Sequence, residues 1–171
     1  NRAIVDCTKA IEIDLKLANA YVTRSWAYNE KRKYDLSIAD CTEAIKIDPN
    51  NTFAYGNRGL AYVNQGKFDQ TIVDCTRAIK IDPKFVSAYV TRSWAYNEKG
   101  KYDLSISDCT KAIEIDSSNA SAYNNRGVAY LGKKEWDLAI KEFNEALRFN
   151  PNHTHARNNI IIALRMKHER T

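Results

Sequence analysis

Four cysteines, Cys7, Cys41, Cys75 and Cys109, are the side chains of this 171-residue chain that could bridge, hold zinc or attack a substrate. Their spacing favours none of these. They recur every 34 residues, whereas zinc sites use pairs roughly two to four residues apart, and no His lies near any of them. On equivalent helices packed about 8–10 Å apart they would also exceed the ~7 Å Cα separation that a disulfide tolerates. They read as buried structural thiols in a reducing compartment, with no metal and no cofactor expected. The three histidines, His153, His155 and His168, are confined to the C-terminal end, and no glycine-rich phosphate loop is present. No nucleophile, acid and base stand out together, so an enzyme is not expected.

Charge adds a mild bias. Lys plus Arg number 26 against 21 Asp plus Glu, a formal net charge of +5. Both signs are interspersed except near the end, where Arg157, Arg165, Lys167 and Arg170 face only Glu169. A solvated last helix accounts for this, and contact with nucleic acid is the less favoured alternative. The longest apolar run, Ile160 to Leu164, is far short of the roughly 20 residues of a membrane span, and no membrane partner is expected. The chain starts at Asn1 without an initiator Met or a leader pattern and reads as an excised fragment; a cytoplasmic location is the expectation.

The elements that must position these residues follow from internal repetition. Residues 20–31 and 88–99 are the same twelve letters, AYVTRSWAYNEK, and the 34-residue cysteine period is shared by Ala10, Ala44, Ala78, Ala112 and Ala146. Full units run 18–51, 52–85, 86–119 and 120–153, flanked by half-units 1–17 and 154–171 within a single domain. Inside a unit apolar residues return twice at helical spacing, as in Ala20, Tyr21, Ala27, Tyr28 and then Tyr34, Ile38, Cys41, Ala44, Ile45. Each unit is therefore two helices. They are separated by bends such as Gln65, Gly66, Lys67 and closed by segments such as Asp48, Pro49, Asn50, Asn51, where Pro cannot continue a helix. Small residues recur at Ser25, Gly59, Ser93 and Gly127, and aromatics at Tyr28, Tyr62, Tyr96 and Tyr130 and at Tyr34, Phe68, Tyr102 and Trp136. No strand pattern is present.

These units resemble tetratricopeptide repeats from end to end. The matching features are an aromatic fourth residue (Tyr21, Tyr55, Tyr89, Tyr123), a small eighth, Tyr at eleven, a small twentieth, Ala at twenty-seven and Pro at thirty-two. Departures are Leu15 and Ser117 where Pro is usual, and Arg24, Arg58, Arg92 and Arg126 at the seventh place, where the family usually carries Leu. The resemblance implies an all-α fold of the α-α superhelix class, a right-handed solenoid of antiparallel helical hairpins. If the helices pack as the family implies, those arginines can pair with Asp6, Asp40, Asp74 and Asp108, each preceding a cysteine, in a structural ladder; the alternative is that they reach a ligand's carboxylate or phosphate.

The resemblance further implies a concave, protein-binding groove lined by positions two, five, six, nine, twelve and thirteen of each unit. These are Asn19, Val22, Thr23, Trp26, Asn29 and Glu30; Phe53, Gly56, Asn57, Leu60, Val63 and Asn64; Ser87, Val90, Thr91, Trp94, Asn97 and Glu98; and Ser121, Asn124, Asn125, Val128, Leu131 and Gly132. Trp26, Leu60, Trp94 and Val128 would form an apolar stripe flanked by amides, suited to a peptide or protein ligand. Packing of the tryptophans on neighbouring helices is the other possibility. A carboxylate clamp is not expected, because Val22, Trp26, Ser87 and Thr91 stand where its Lys, Asn and Arg would be. Self-association is the remaining reading: Ile160, Ile161, Leu164 and Met166 of the last helix would meet Ile4, Cys7 and Ile11 of a second molecule's first helix, a heterologous contact making a homo-oligomer.

Overall fold

The computed structural model of the chain describes residues 2–169. Arg170, one of the expected C-terminal cations, lies outside them. Ten helices account for the described residues: α1 (Arg2–Ile13), α2 (Ala18–Glu30), α3 (Tyr34–Ile47), α4 (Thr52–Asn64), α5 (Phe68–Ile81), α6 (Val86–Glu98), α7 (Tyr102–Ile115), α8 (Ala120–Gly132), α9 (Trp136–Phe149) and α10 (Thr154–His168). No strand occurs among the described residues, and no helix of theirs is long and apolar enough to cross a membrane. The fold is all-α, and its even-numbered helices begin every 34 residues.

The ends of the helices have local causes. Asn51 and Asn119 accept hydrogen bonds from the backbone N–H of Ala54 and Ala122 at 3.0 Å, and His153 Nδ1 accepts from Ala156 at 3.2 Å, so each caps the first turn that follows. Within a hairpin the turn needs one residue in the left-handed region. Gly66 (φ 73°) and Gly100 (φ 67°) supply it freely, whereas Arg32 (φ 56°) and Lys134 (φ 65°) adopt it against the clash of their Cβ atoms.

The chain divides into two compact units, unit 1 ending at Thr91 and unit 2 beginning at Arg92, a boundary inside α6. In unit 1, Ile11, Tyr21, Ala44 and Ala54 form one cluster with Val22, Ile45 and Ile47 against it, and Cys75, Ala78 and Ala88 form another with Tyr55, Ile79 and Phe85. The core of unit 2 is built from Ala139, Phe143, Ala146, Ala156 and Ala163, with Tyr123, Val128, Tyr130, Leu131, Ile140, Leu147 and Ile160 packed on it.

Paired helices approach through their small residues. A Cβ on Gly59 would lie 2.8 Å from Cys75 Sγ, and one on Gly127 would lie 2.5 Å from Phe143 Cε1. In α2 and α6 the same place holds Ser25 and Ser93, both fully buried. Cys41, Cys75 and Cys109 are buried, Cys7 is half-buried, and all four are free thiols. Burial pushes the thiol of Cys41 up to about 11 and that of Cys109 up to about 12, against smaller opposing pulls from Ser25 and Ser37 and from Ser93 and Ser105.

At the two ends the packing differs from the expected apolar faces. Ile160 lies against the α9 core rather than in solvent, and Ile11 is buried against Tyr21 and Ala44. The reason is helical phase, since each points toward the helix its own chain supplies. The exposed apolar side chains of α10 are Ile161, Ile162, Leu164 and Met166.

Candidate partner-binding faces of the first helices

Two constellations recur along α2, α4, α6 and α8, one with the 34-residue period and one with twice that period. The first is centred on the seventh-position arginines. Arg24 donates from Nε to Asp40 Oδ2 at 2.7 Å and from Nη2 to Oδ1 at 2.8 Å; Arg58 does the same to Asp74 at 2.7 and 2.9 Å, and Arg92 to Asp108 at 2.8 and 2.7 Å. The fork of each guanidinium thus meets both oxygens of a carboxylate in its own hairpin. The remaining Nη1 of Arg24 and Arg58 donates to Thr8 at 3.0 Å and Thr42 at 3.1 Å, on the second helix of the preceding repeat. Tyrosine rings lie beside the cations as well, with Tyr21 5.6 Å from Arg24 and Tyr55 5.7 Å from Arg58.

The ladder departs from the sequence expectation at both ends. Asp6 pairs with no seventh-position arginine among the described residues; its side chain is exposed and lies 3.6 Å from Arg2. Each carboxylate comes from a position sixteen residues after its arginine, and the position sixteen before Asp6 falls outside residues 1–171. The rung that sequence reading missed is Glu142. Arg126 donates to its Oε2 from Nε at 2.9 Å and holds it through Nη2 at 2.8 Å, while Nη1 reaches Thr110 at 3.3 Å. The threonines were a second missed signal, because Thr8, Thr42, Thr76 and Thr110 share the 34-residue period. Burial lifts the Asp108 carboxyl above its usual range, and Arg92 pulls it back; the Asp40 hydrogen bond raises Arg24.

The second constellation occupies the positions that the resemblance assigns to the groove. It repeats with twice the period, because α2 resembles α6 and α4 resembles α8. In unit 1, Asn57 Nδ2 donates to Ser25 Oγ at 3.0 Å and to the Val22 carbonyl at 3.3 Å, and Asn29 Nδ2 donates to the Asn57 carbonyl at 2.9 Å. In unit 2, Asn125 Nδ2 donates to Ser93 Oγ at 3.0 Å and Asn97 Nδ2 to the Asn125 carbonyl at 2.8 Å. These amide hydrogens tie α2 to α4 and α6 to α8. Asn29 and Asn97 are more than nine-tenths buried, and neither Oδ1 receives a hydrogen bond.

Around this shared frame the exposed groups differ. Trp26 is 54% and Phe53 61% exposed, while Leu60 and Trp94 are half-buried and Val128 and Leu131 pack on the unit 2 core. Thr91 and Asn124 are buried, Val22 lies on the Tyr21 cluster, and Val90 is half-buried. Asn19 and Thr23 are exposed and joined to each other, the Thr23 hydroxyl donating to the Asn19 carbonyl at 2.9 Å. Asn64 accepts from the Tyr34 hydroxyl at 3.3 Å, while its counterpart Gly132 leaves room for the Tyr102 ring, which a Cβ there would strike at 2.2 Å. Phe53 and Phe85 meet edge to face at 5.3 Å beside Gly56; in unit 2 the equivalent ground is polar, with Asn159 donating to Asn124 Oδ1 at 3.1 Å. Glu30 and Glu98 are exposed, and Trp94 Nε1 donates to Glu98 Oε1 at 3.3 Å. Among the described residues no group of three or more His, Cys, Asp or Glu side chains is placed to hold a metal ion.

Family models for the tetratricopeptide repeat match residues 18–51, 52–85 and 120–153, and a further repeat model of the same kind matches 95–134. The chain belongs to the tetratricopeptide repeat family. Solved structures bear the same fold. YrrB, described as a TPR protein with an unusual peptide-binding site, is 23% identical with a TM-score of 0.71 over 92% of this chain and 81% of its own. TTC0263, a thermophilic TPR protein of Thermus thermophilus, is 15% identical with a TM-score of 0.78 over 94% of this chain and 88% of its own. The first TPR of Spaghetti (RPAP3), bound to the HSP90 peptide SRMEEVD, is 27% identical with a TM-score of 0.64 over 67% of this chain and 94% of its own. No curated protein matches the sequence.

Proposed function

We propose that the chain is a non-catalytic scaffold that binds a peptide or protein through the faces of its first helices. The observation that carries this reading is the display of Trp26 and Phe53, each more than half exposed, on helices whose other large side chains are packed. The arginine edges are engaged by Asp40, Asp74, Asp108 and Glu142 within the protein. That favours a structural ladder over a carboxylate-capturing row. The peptide-bound RPAP3 domain supports the general mode, although Val22, Trp26, Ser87 and Thr91 replace the cations and amides of a carboxylate clamp here. Pull-down by the intact chain and by a Trp26→Ala, Trp94→Ala variant tests the proposal. Loss of the captured partners with the helical spectrum intact is the expected result; undiminished capture sinks the assignment.

Self-association is a second reading, motivated by exposed Ile161, Ile162, Leu164 and Met166. One feature weighs against a composite repeat of regular geometry: Ile161 occupies the eighth position, where Gly59 touches Cys75 so closely that even a Cβ is crowded. Mass by light scattering that stays constant with concentration would dispose of this reading. Contact of the basic end with nucleic acid has less support still, since Lys167 is paired with Asp137 and Arg157 donates to the Pro151 carbonyl.

A further inference from the structure

We infer that each unit carries one copy of a cation-accepting subsite, Trp26 and Glu30 in unit 1 and Trp94 and Glu98 in unit 2. Its occupant is an arginine- or lysine-bearing peptide segment. This rests on the reading of these helix faces as peptide-binding and adds the sign of the ligand.

Tryptophan and glutamate stand at i and i+4, the spacing that places side chains together on one helix face. Both present electron-rich groups. The indole offers the negative face of its ring, and the glutamate an exposed carboxylate. In unit 2 the hydrogen bond from Trp94 Nε1 to Glu98 Oε1 holds ring and carboxylate side by side. The asparagine between them, Asn29 or Asn97, is buried and braces the face by donating from Nδ2 to the Asn57 or Asn125 carbonyl. An aromatic face and a carboxylate both accept; what they lack is a cation with several N–H groups, which a guanidinium or ammonium supplies.

Charge along the same faces agrees. At the groove positions of α2, α4, α6 and α8, Glu30 and Glu98 are the charged side chains. On α10 the place of Asn29 and Asn97 is taken by Arg165, which is exposed and 4.0 Å from Glu169. An acidic ligand would meet Glu30 and Glu98 with like charge and find no free cation at the groove positions of these four helices. The duplication also sets a number: one basic side chain per unit, hence two per chain.

The probe is an end-capped tetra-arginine peptide, with tetra-glutamate as its control, titrated into the isotope-labelled full chain. Indole N–H signals of Trp26, Trp94 and Trp136 are followed separately. Tetra-arginine is expected to shift Trp26 and Trp94 but not Trp136, at two sites per chain. Glu30→Gln should weaken saturation at Trp26 alone and Glu98→Gln at Trp94 alone, each by roughly threefold to tenfold, while Glu114→Gln on the second-helix surface changes neither. Equal shifts with tetra-glutamate, or unchanged affinity in the double Glu→Gln variant, would overturn the subsite. If partner capture depends on Trp26 and Trp94 while tetra-arginine moves neither indole, the scaffold stands and the cation subsite falls. If tetra-arginine shifts both indoles while capture ignores the tryptophans, the scaffold assignment falls and the subsite stands.

Discussion

Units 1 and 2 share one half of their first-helix faces and differ in the other. The halves contributed by α2 and α6 are alike down to the Trp, Asn and Glu triplet and the asparagine strut that follows it. The halves contributed by α4 and α8 have diverged. Unit 1 presents an aromatic edge of Phe53 and Phe85 beside Gly56, and unit 2 an amide pair of Asn124 and Asn159. A duplicated two-repeat block can therefore keep its frame while changing what lies next to it, because the frame is fixed by amide hydrogen bonds to backbone carbonyls and buried serine hydroxyls that both units share. The same contrast runs through the cores. The fourth repeat replaces the Asp and Cys pair of the others by Glu142 and Phe143.

The sharpest way to break the comparison is at the arginine rungs. Arg58→Ala should cost about 3–5 kcal/mol in denaturant unfolding, since it strands the buried Asp74 carboxylate. Arg126→Ala should cost less, because Glu142 is held through one oxygen only. Equal losses would mean that the two-oxygen geometry contributes nothing. Next in size is the helix contact. Gly127→Ala drives a Cβ into the fully buried Phe143 ring, and a loss of about 1–3 kcal/mol is expected. Gly59→Ala should be milder, as Ser25 and Ser93 already face Cys41 and Cys109 in equivalent hairpins. Gly127→Ser combined with Phe143→Cys should recover part of the loss, and melting temperatures of the three variants would show it. Smallest is the hairpin turn, where the units differ by one residue. Arg32→Gly should stabilise by about 1 kcal/mol and Gly100→Arg destabilise by a similar amount, through the left-handed φ both positions require. Matching shifts of opposite sign in the unfolding midpoint would support that cause.

Much of the fold was readable from the sequence because a period is immune to errors in any single position. The starts of α2, α4, α6, α8 and α10 fall on the repeat boundaries. Burial of Cys41, Cys75 and Cys109 followed from the place the repeat pattern gives them, whereas Cys7, expected to be buried with them, is half-buried. What escaped was set by contacts between repeats. Nothing in a hairpin taken alone says that Thr8 and Thr42 would receive a guanidinium, or that Asn57 would turn its amide toward Ser25. Glu142 escaped because a search for Asp before Cys fails where both letters change together. On the candidate faces, position gave the list of residues but not their exposure. Asn29 and Asn97 prove to be structural struts with one atom to spare, whereas Trp26 stands in the open.

The buried thiols give the array a built-in set of clocks. With Cys41 at about 11 and Cys109 at about 12, both are un-ionised at neutral pH, and no alkylating reagent reaches them in the closed helix pair. Their labelling must wait for the surrounding hairpin to part. With one cysteine on each of α1, α3, α5 and α7 and none on α9, the four modification rates would time the opening of successive hairpins, with half-buried Cys7 running first.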